Sequence, residues 1–262
     1  MTAIEPWLGH VIPFVLVAFR IGGLFVAAPL ISSQSVAPRF RALLAIMLAA
    51  VVYPTLSSSV QTAPEVTLVE LVGLIISELI IGVSIGTIAA IPLAGLQLGG
   101  YMMGHQMGLA LARSFNPETN SETGAVGQLL YFLGVYVFIG IGGLDAMLIG
   151  TLNSFEHIPI GAVGLTEAPL DLFLGVLHSS YELAIRLSAP VLGVILMILI
   201  AMGVLMKTMP QINILSVGFA IKILVGLFIF SATLIAMEEA IGDEITSVLN
   251  ALLQWTATPH SP

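Results

Sequence analysis

The chain is a succession of long apolar blocks separated by short polar stretches. The longest uncharged run, Leu79–Ala112, contains no Asp, Glu, Lys or Arg. A soluble helix needs a polar face, and a run of this length leaves little room for one. As one straight helix it would extend about 50 Å, against a hydrocarbon core of about 30 Å. It therefore predicts either two membrane-depth elements or one element ending in a buried irregular stretch. Further uncharged runs cover Ala42–Pro64, Thr123–Leu144 and Leu187–Met206. Trp7–Leu30 is an apolar block interrupted by Pro13 and Arg20, and is read as a retained segment, not a cleaved leader. Val66–Leu111 carries Pro92, where a helix should kink because proline has no N–H to give. Ala125–Thr151, Leu170–Met206 (with Pro190) and Ile212–Met237 (around Lys222) complete the apolar set. In the tail, Ile241, Ile245, Val248, Leu249 and Leu252 fall at helical spacing and predict a separate amphipathic helix.

Composition agrees with this pattern. The chain has 7 basic and 15 acidic residues in 262, with 58% hydrophobic. That points to a polytopic membrane protein or a subunit of an equally apolar assembly. The net charge of −8 leaves no basic patch for nucleic acid. With no cysteine, disulfides and thiolate metal sites are excluded. Arg39 and Arg41, Arg113 and Lys207 mark candidate cytoplasmic loops. They give no consistent parity across six or seven blocks, so either one block does not cross the membrane or ordinary topology is the wrong model.

Charges at membrane depth are costly and each needs a reason. Arg20, Glu78, Asp145 and Lys222 stand isolated in apolar blocks. They are read as partners in helix or subunit pairing in preference to an ion relay. Glu182 and Arg186 are four apart and read as an internal neutralising pair. No histidine pattern for a metal, nucleophile elbow or phosphate loop is present, so neither a catalytic site, a cofactor nor a metal is expected. Gly100, Gly104 and Gly108 repeat every four residues, as do Gly82 and Gly86, a pattern of close helix packing. Met102, Met103 and Met107 flank the first set and are adaptable side chains suited to a gate. Met202, Met206 and Met209 read as a core stripe. Asn116-Pro117 predicts a turn after the long block.

At these residues the chain resembles the FliR family, a membrane subunit of the flagellar type III export gate. The strongest match is Met209-Pro-Gln-Ile-Asn-Ile-Leu-Ser-Val-Gly-Phe219, followed by Lys222 and Val225-Gly-Leu227. Pro210, Gln211, Asn213, Gly218 and Phe219 carry that motif. Leu215 stands for the family's usual aromatic and Ala220 for its usual proline. Arg20-Ile-Gly-Gly-Leu-Phe25, Val36-Ala-Pro-Arg-Phe-Arg41, Glu78-Leu-Ile-Ile-Gly82, Gly104-His-Gln-Met-Gly-Leu109, Gly143-Leu-Asp145 and Ser154-Phe155 match other blocks in order.

The resemblance implies an all-α fold of long kinked helices and helical hairpins in a polytopic membrane protein. It implies a FliP-like part over 1–169, with a plug loop at 107–123, joined to a FliQ-like hairpin and amphipathic tail over 170–262. Met103, Gly104, Gln106, Met107, Gly108, Phe115, Asn116 and Pro117 would form the plug and gate. Implied partners are FliP, FliQ and FlhB relatives, with unfolded flagellar proteins in transit. The implied location is the bacterial inner membrane at the flagellar basal body, with no enzymatic activity. The alternatives are the export gate of a virulence type III system, a stand-alone small polytopic transporter, and an intramembrane enzyme.

Overall fold

A computed structural model describes residues 5–32, 36–57, 68–109, 124–158, 160, 169–208 and 214–258. Every element among them is helical, as lipid requires of a backbone that must satisfy its own hydrogen bonds. The helices are α1 (Glu5–Ala27), α2 (Pro38–Val52), α3 (Leu68–Gln106), α4 (Gly124–Gly140), α5 (Gly143–His157), α6 (Leu170–Thr208) and α7 (Ile214–Ala257), with a 3-10 turn at Tyr53–Thr55 after α2. Pro38 opens α2 at a first-turn position, where its missing N–H costs nothing.

Five helical segments among the described residues are long and apolar enough to cross a membrane, and α4 with α5 would make a sixth. The protein is an all-α polytopic membrane protein. α3 and α6 have 39 residues each and α7 has 44. At 1.5 Å per residue they reach about 58 to 66 Å, roughly twice a hydrocarbon core. In α6 the uncharged stretch Leu187–Met206, bounded by Arg186 and Lys207, is by itself long enough to span.

The long block is thus one helix, not two elements, and it continues through Pro92. The tail is not a separate helix either. α7 runs unbroken from Ile214 to Ala257, through Glu238 and Glu239, because glutamate is a good helix former and a change of polarity does not by itself end a helix. Conversely, the apolar block at 125–151 is divided at Gly140-Ile141-Gly142, where Gly142 takes φ +78°.

Two compact units are distinguished. The first comprises Met1–Ile91, Ile141–Val176 and Ile245–Pro262; the second comprises Pro92–Gly140 and Leu177–Glu244. In the first, α1 packs on α2 and on the amino-terminal part of α3. A Cβ at Gly23 would lie 2.5 Å from the Leu79 carbonyl oxygen, and one at Gly86 2.8 Å from that of Leu24. The predicted small-residue face at Gly82 and Gly86 is therefore a crossing of backbones. The carboxy-terminal stripe Ile241, Ile245, Val248, Leu249 and Leu252 is buried throughout.

In the second unit, a Cβ at Gly100 would come within 2.5 Å of the Cα of Gly127 on α4. Just before Gly100 on α3, Gly95 and Gly99 abut the backbone of Ser180 and Ala184 on α6. Gly104, by contrast, meets only the Val126 side chain, at 3.7 Å.

Candidate functional site

Two constellations carry polar or motif residues into the interior, one in each unit. The first is built on Arg20, which α1 places among Leu16, Val17, Ile21 and Leu24, all buried. Arg20 itself is fully enclosed, as is Glu78 of α3. The Arg20 Nε donates to Glu78 Oε2 at 2.5 Å. Its Nη1 donates to the carbonyl oxygen of Ser154 at 2.8 Å and to Ser154 Oγ at 3.1 Å. Its Nη2 donates to the carbonyl oxygen of Ile158 at 3.3 Å. The Phe155 ring stacks under the guanidinium, 4.5 Å from its centroid.

Ser154 and Ile158 lie at the carboxy-terminal end of α5, where the helix dipole is negative; the Ser154 carbonyl also accepts the Ile158 N–H at 2.9 Å. Arg20 thus caps one helix with its fork while neutralising the carboxylate of another. Lysine, with a compact ammonium, has no such planar fork. Arg20 and Glu78, both read from the sequence as pairing candidates, pair with each other across α1 and α3, and neither side chain has exposed surface. What the sequence did not disclose is the third member. Ser154-Phe155 stood out only as a stretch of family resemblance, and nothing local marks Ser154 or Ile158 as acceptors for a residue on α1.

The second constellation is the root of the loop that follows α3. The helix ends in a Schellman motif. The Gly108 N–H donates to the His105 carbonyl at 3.0 Å, and the Leu109 N–H to the Gly104 carbonyl at 3.0 Å. The motif needs a residue with positive φ after the last helical turn, and Gly108 has φ +87°. The Phe219 ring backs this glycine so closely that a Cβ there would lie 2.9 Å from Phe219 Cε2. Met107 is fully buried and fits against Gly226 of α7, where a Cβ would lie 2.7 Å from its Cγ. Met103 is also fully buried, Gln106 is exposed and Gly104 is half-buried. Two residues of the Gly-Phe motif thus lie on the helix that holds the loop root: Phe219 against Gly108, and Gly218 against the end of Met202.

The remaining candidates are dispersed. Phe115, Asn116, Pro117, Pro210, Gln211, Asn213 and Met209 lie outside the described residues. Asp145 is exposed in the first turn of α5, a favourable place for an acid. Glu182 and Arg186 are exposed on α6, and no ion pair joins them; the reading as an internal neutralising pair is corrected. Lys222 is half-buried and has no ion-pair partner among the described residues. Met206 is 53% exposed, so the Met202–Met206 stripe is not core as expected. No group of three or more potential metal ligands occurs among the described residues.

Comparison with known proteins bears on both constellations. The family model for bacterial export proteins, family 1, matches residues 11–248, which include Arg20, Glu78, Ser154, Gly108 and Phe219. The chain is 26% identical over 216 residues to the flagellar biosynthetic protein FliR of Bacillus subtilis, covering 81% of this chain and 82% of that relative. It is 26% identical over 235 residues to the protein of the same name from Caulobacter vibrioides, covering 90% and 93%. With the Escherichia coli K12 protein of that name the identity is 24% over 236 residues, covering 87% and 86%.

Proposed function

Since the chain belongs to the bacterial export proteins, family 1, we propose that it is a non-enzymatic subunit of the flagellar type III export gate in the inner membrane, at the basal body. In this reading it assembles with FliP and FliQ relatives, FlhB associates with the assembly, and the gate encloses and closes a channel for unfolded flagellar proteins. The names of its relatives support the flagellar assignment over a virulence system.

The observation that carries the gating part is the anchored loop root. A seal has to exclude water at rest and yield to a passing chain. The loop that would do so leaves α3 through a glycine cap held by an aromatic ring, so its base is fixed. The buried charges fit an assembly role better than solute transport. Arg20 and Glu78 are wholly enclosed and bound to each other, whereas a relay needs groups that exchange protons with water.

The broad apolar surface fits a subunit that is covered by others. The most apolar windows of α6 and α7 are only 11% buried within the chain. Long uncovered apolar faces mark interfaces with partners or lipid.

Deleting part of residues 110–123 tests the gate. The intact and deleted chains are expressed with FliP and FliQ relatives, and ion conductance is measured without substrate. The reading expects normal assembly and a higher resting conductance from the deleted form. Equal conductance with normal assembly would rule the loop out as the seal.

A further inference from the structure

We infer that an open cleft in the first unit, walled by α1, α2 and α5, receives an acyl chain of an anionic phospholipid, with Arg39 and Arg41 meeting its phosphate. The cleft encloses about 450 Å³, within the range of ordinary ligand pockets of roughly 300–1,000 Å³. Its floor is Leu24, Ala28 and Met147, all at most 2% exposed. Its rim on α2 is Leu44, Met47 and Val51, which are 47%, 59% and 69% exposed. The walls are apolar throughout, so nothing in the cleft selects a polar ligand.

Two observations choose the occupant. The first is charge. Arg41, Leu44, Leu48 and Val51 follow one another at three- and four-residue steps, so they share one face of α2. The basic end of the helix therefore continues the stripe that lines the cleft. Arg39 is exposed in the same first turn. These are two of only 7 basic residues in the chain, placed where an apolar segment begins. Cations at such a position sit at headgroup depth and attract anionic lipid.

The second is the lining. The walls are apolar from floor to rim, which matches an acyl chain with no polar group to satisfy. The inference needs only that the protein lies in a membrane, and does not depend on the gate reading.

The test uses membrane vesicles carrying the full chain and phosphatidylglycerol with a photoreactive group in its acyl chain. After illumination, adducts are mapped by peptide mass spectrometry. Labelling should concentrate on residues 44–51 and 144–148. It should fall in Met47→Trp, which fills the cleft from an exposed position and leaves the core intact. It should also fall in R39Q/R41Q, by about fivefold for each arginine lost. A phosphatidylcholine probe with the same acyl chain should label this site several-fold less. Equal labelling by the two lipids would overturn the headgroup assignment. Labelling spread evenly over all lipid-facing helices, or unchanged by Met47→Trp, would overturn the cleft. So would a photoreactive residue at position 47 that crosslinks to another protein chain in place of lipid, which would make the face a subunit interface.

Discussion

Arg20 and Glu78 are 58 positions apart in sequence and are joined by a direct ion pair with no exposed surface on either side chain. The same guanidinium holds the end of α5 through Ser154 and Ile158, so three helices meet at one charge. Two buried charges rarely stabilise a protein more than well-packed hydrophobic residues would. Removing one alone is another matter, because the other is left buried and unpaired.

Arg20→Met is expected to destabilise the protein by about 3–5 kcal/mol, and Glu78→Met by a similar amount. The double variant R20M/E78M should recover a substantial part of either loss, since it leaves no orphan charge. Recovery should be incomplete, because the Ile158 carbonyl loses the Arg20 donor. Denaturation in mild detergent, run as a double-mutant cycle, measures this. Additive losses would show that the pair is not coupled.

Gly100 and Gly104 look alike in the sequence and should behave oppositely. At Gly100 a methyl group would strike the backbone of Gly127, which cannot move aside without parting the helices. At Gly104 it would make ordinary contact with Val126. Gly100→Ala should lower stability and yield. Gly104→Ala should be neutral or stabilising by up to about 1 kcal/mol, from the better helix propensity of alanine. Comparing purified yield and thermal midpoint of the two variants decides it.

The contrast shows how far the sequence could be read. Elements were legible because their signals are local: a run without charge, and glycines toward the end of α3. The stripe from Ile241 to Leu252 was legible because polar residues alternate with it, so its period points inward. In the wholly apolar helices that logic fails. Lipid is as apolar as a protein core, so hydrophobicity does not distinguish Met103, which is enclosed, from Met206, which is exposed. The Arg20 cluster was legible only in part. The cost of a charge in an apolar helix demanded a partner, but the partners lie 58 and 134 residues away, and no local pattern names them.

Lys222 has no ion-pair partner among the described residues. It is half-buried in an apolar stretch of α7, where an ammonium is costly unless paired. An acidic group of a neighbouring subunit is the expected counter-charge. Lys222→Met should therefore weaken copurification with FliP and FliQ relatives and reduce motility, with Lys222→Arg partly tolerated. A silent Lys222→Met in both assays would remove the pairing idea.

The last prediction concerns the loop root and separates anchoring from simple packing. Gly108 is held in a left-handed conformation with Phe219 against it. Gly108→Ala meets two penalties. A Cβ in that conformation costs about 1–2 kcal/mol, and it also intrudes on the ring, 2.9 Å from Cε2. Phe219→Ala removes only the ring, and loses about 1–3 kcal/mol of packing at a half-buried site. The double variant G108A/F219A should be milder than the sum of the two, since the collision disappears with the ring; a full sum would show that the ring and the glycine do not touch. Stability of the purified gate reads the coupling, and resting ion conductance reads its consequence. Both single variants should assemble and leak, whereas Leu224→Ala, at a position 70% exposed on the same helix, should assemble and stay closed. Assembly and conductance unchanged in both Gly108→Ala and Phe219→Ala would detach the Gly-Phe motif from gating and leave it a packing contact of α7.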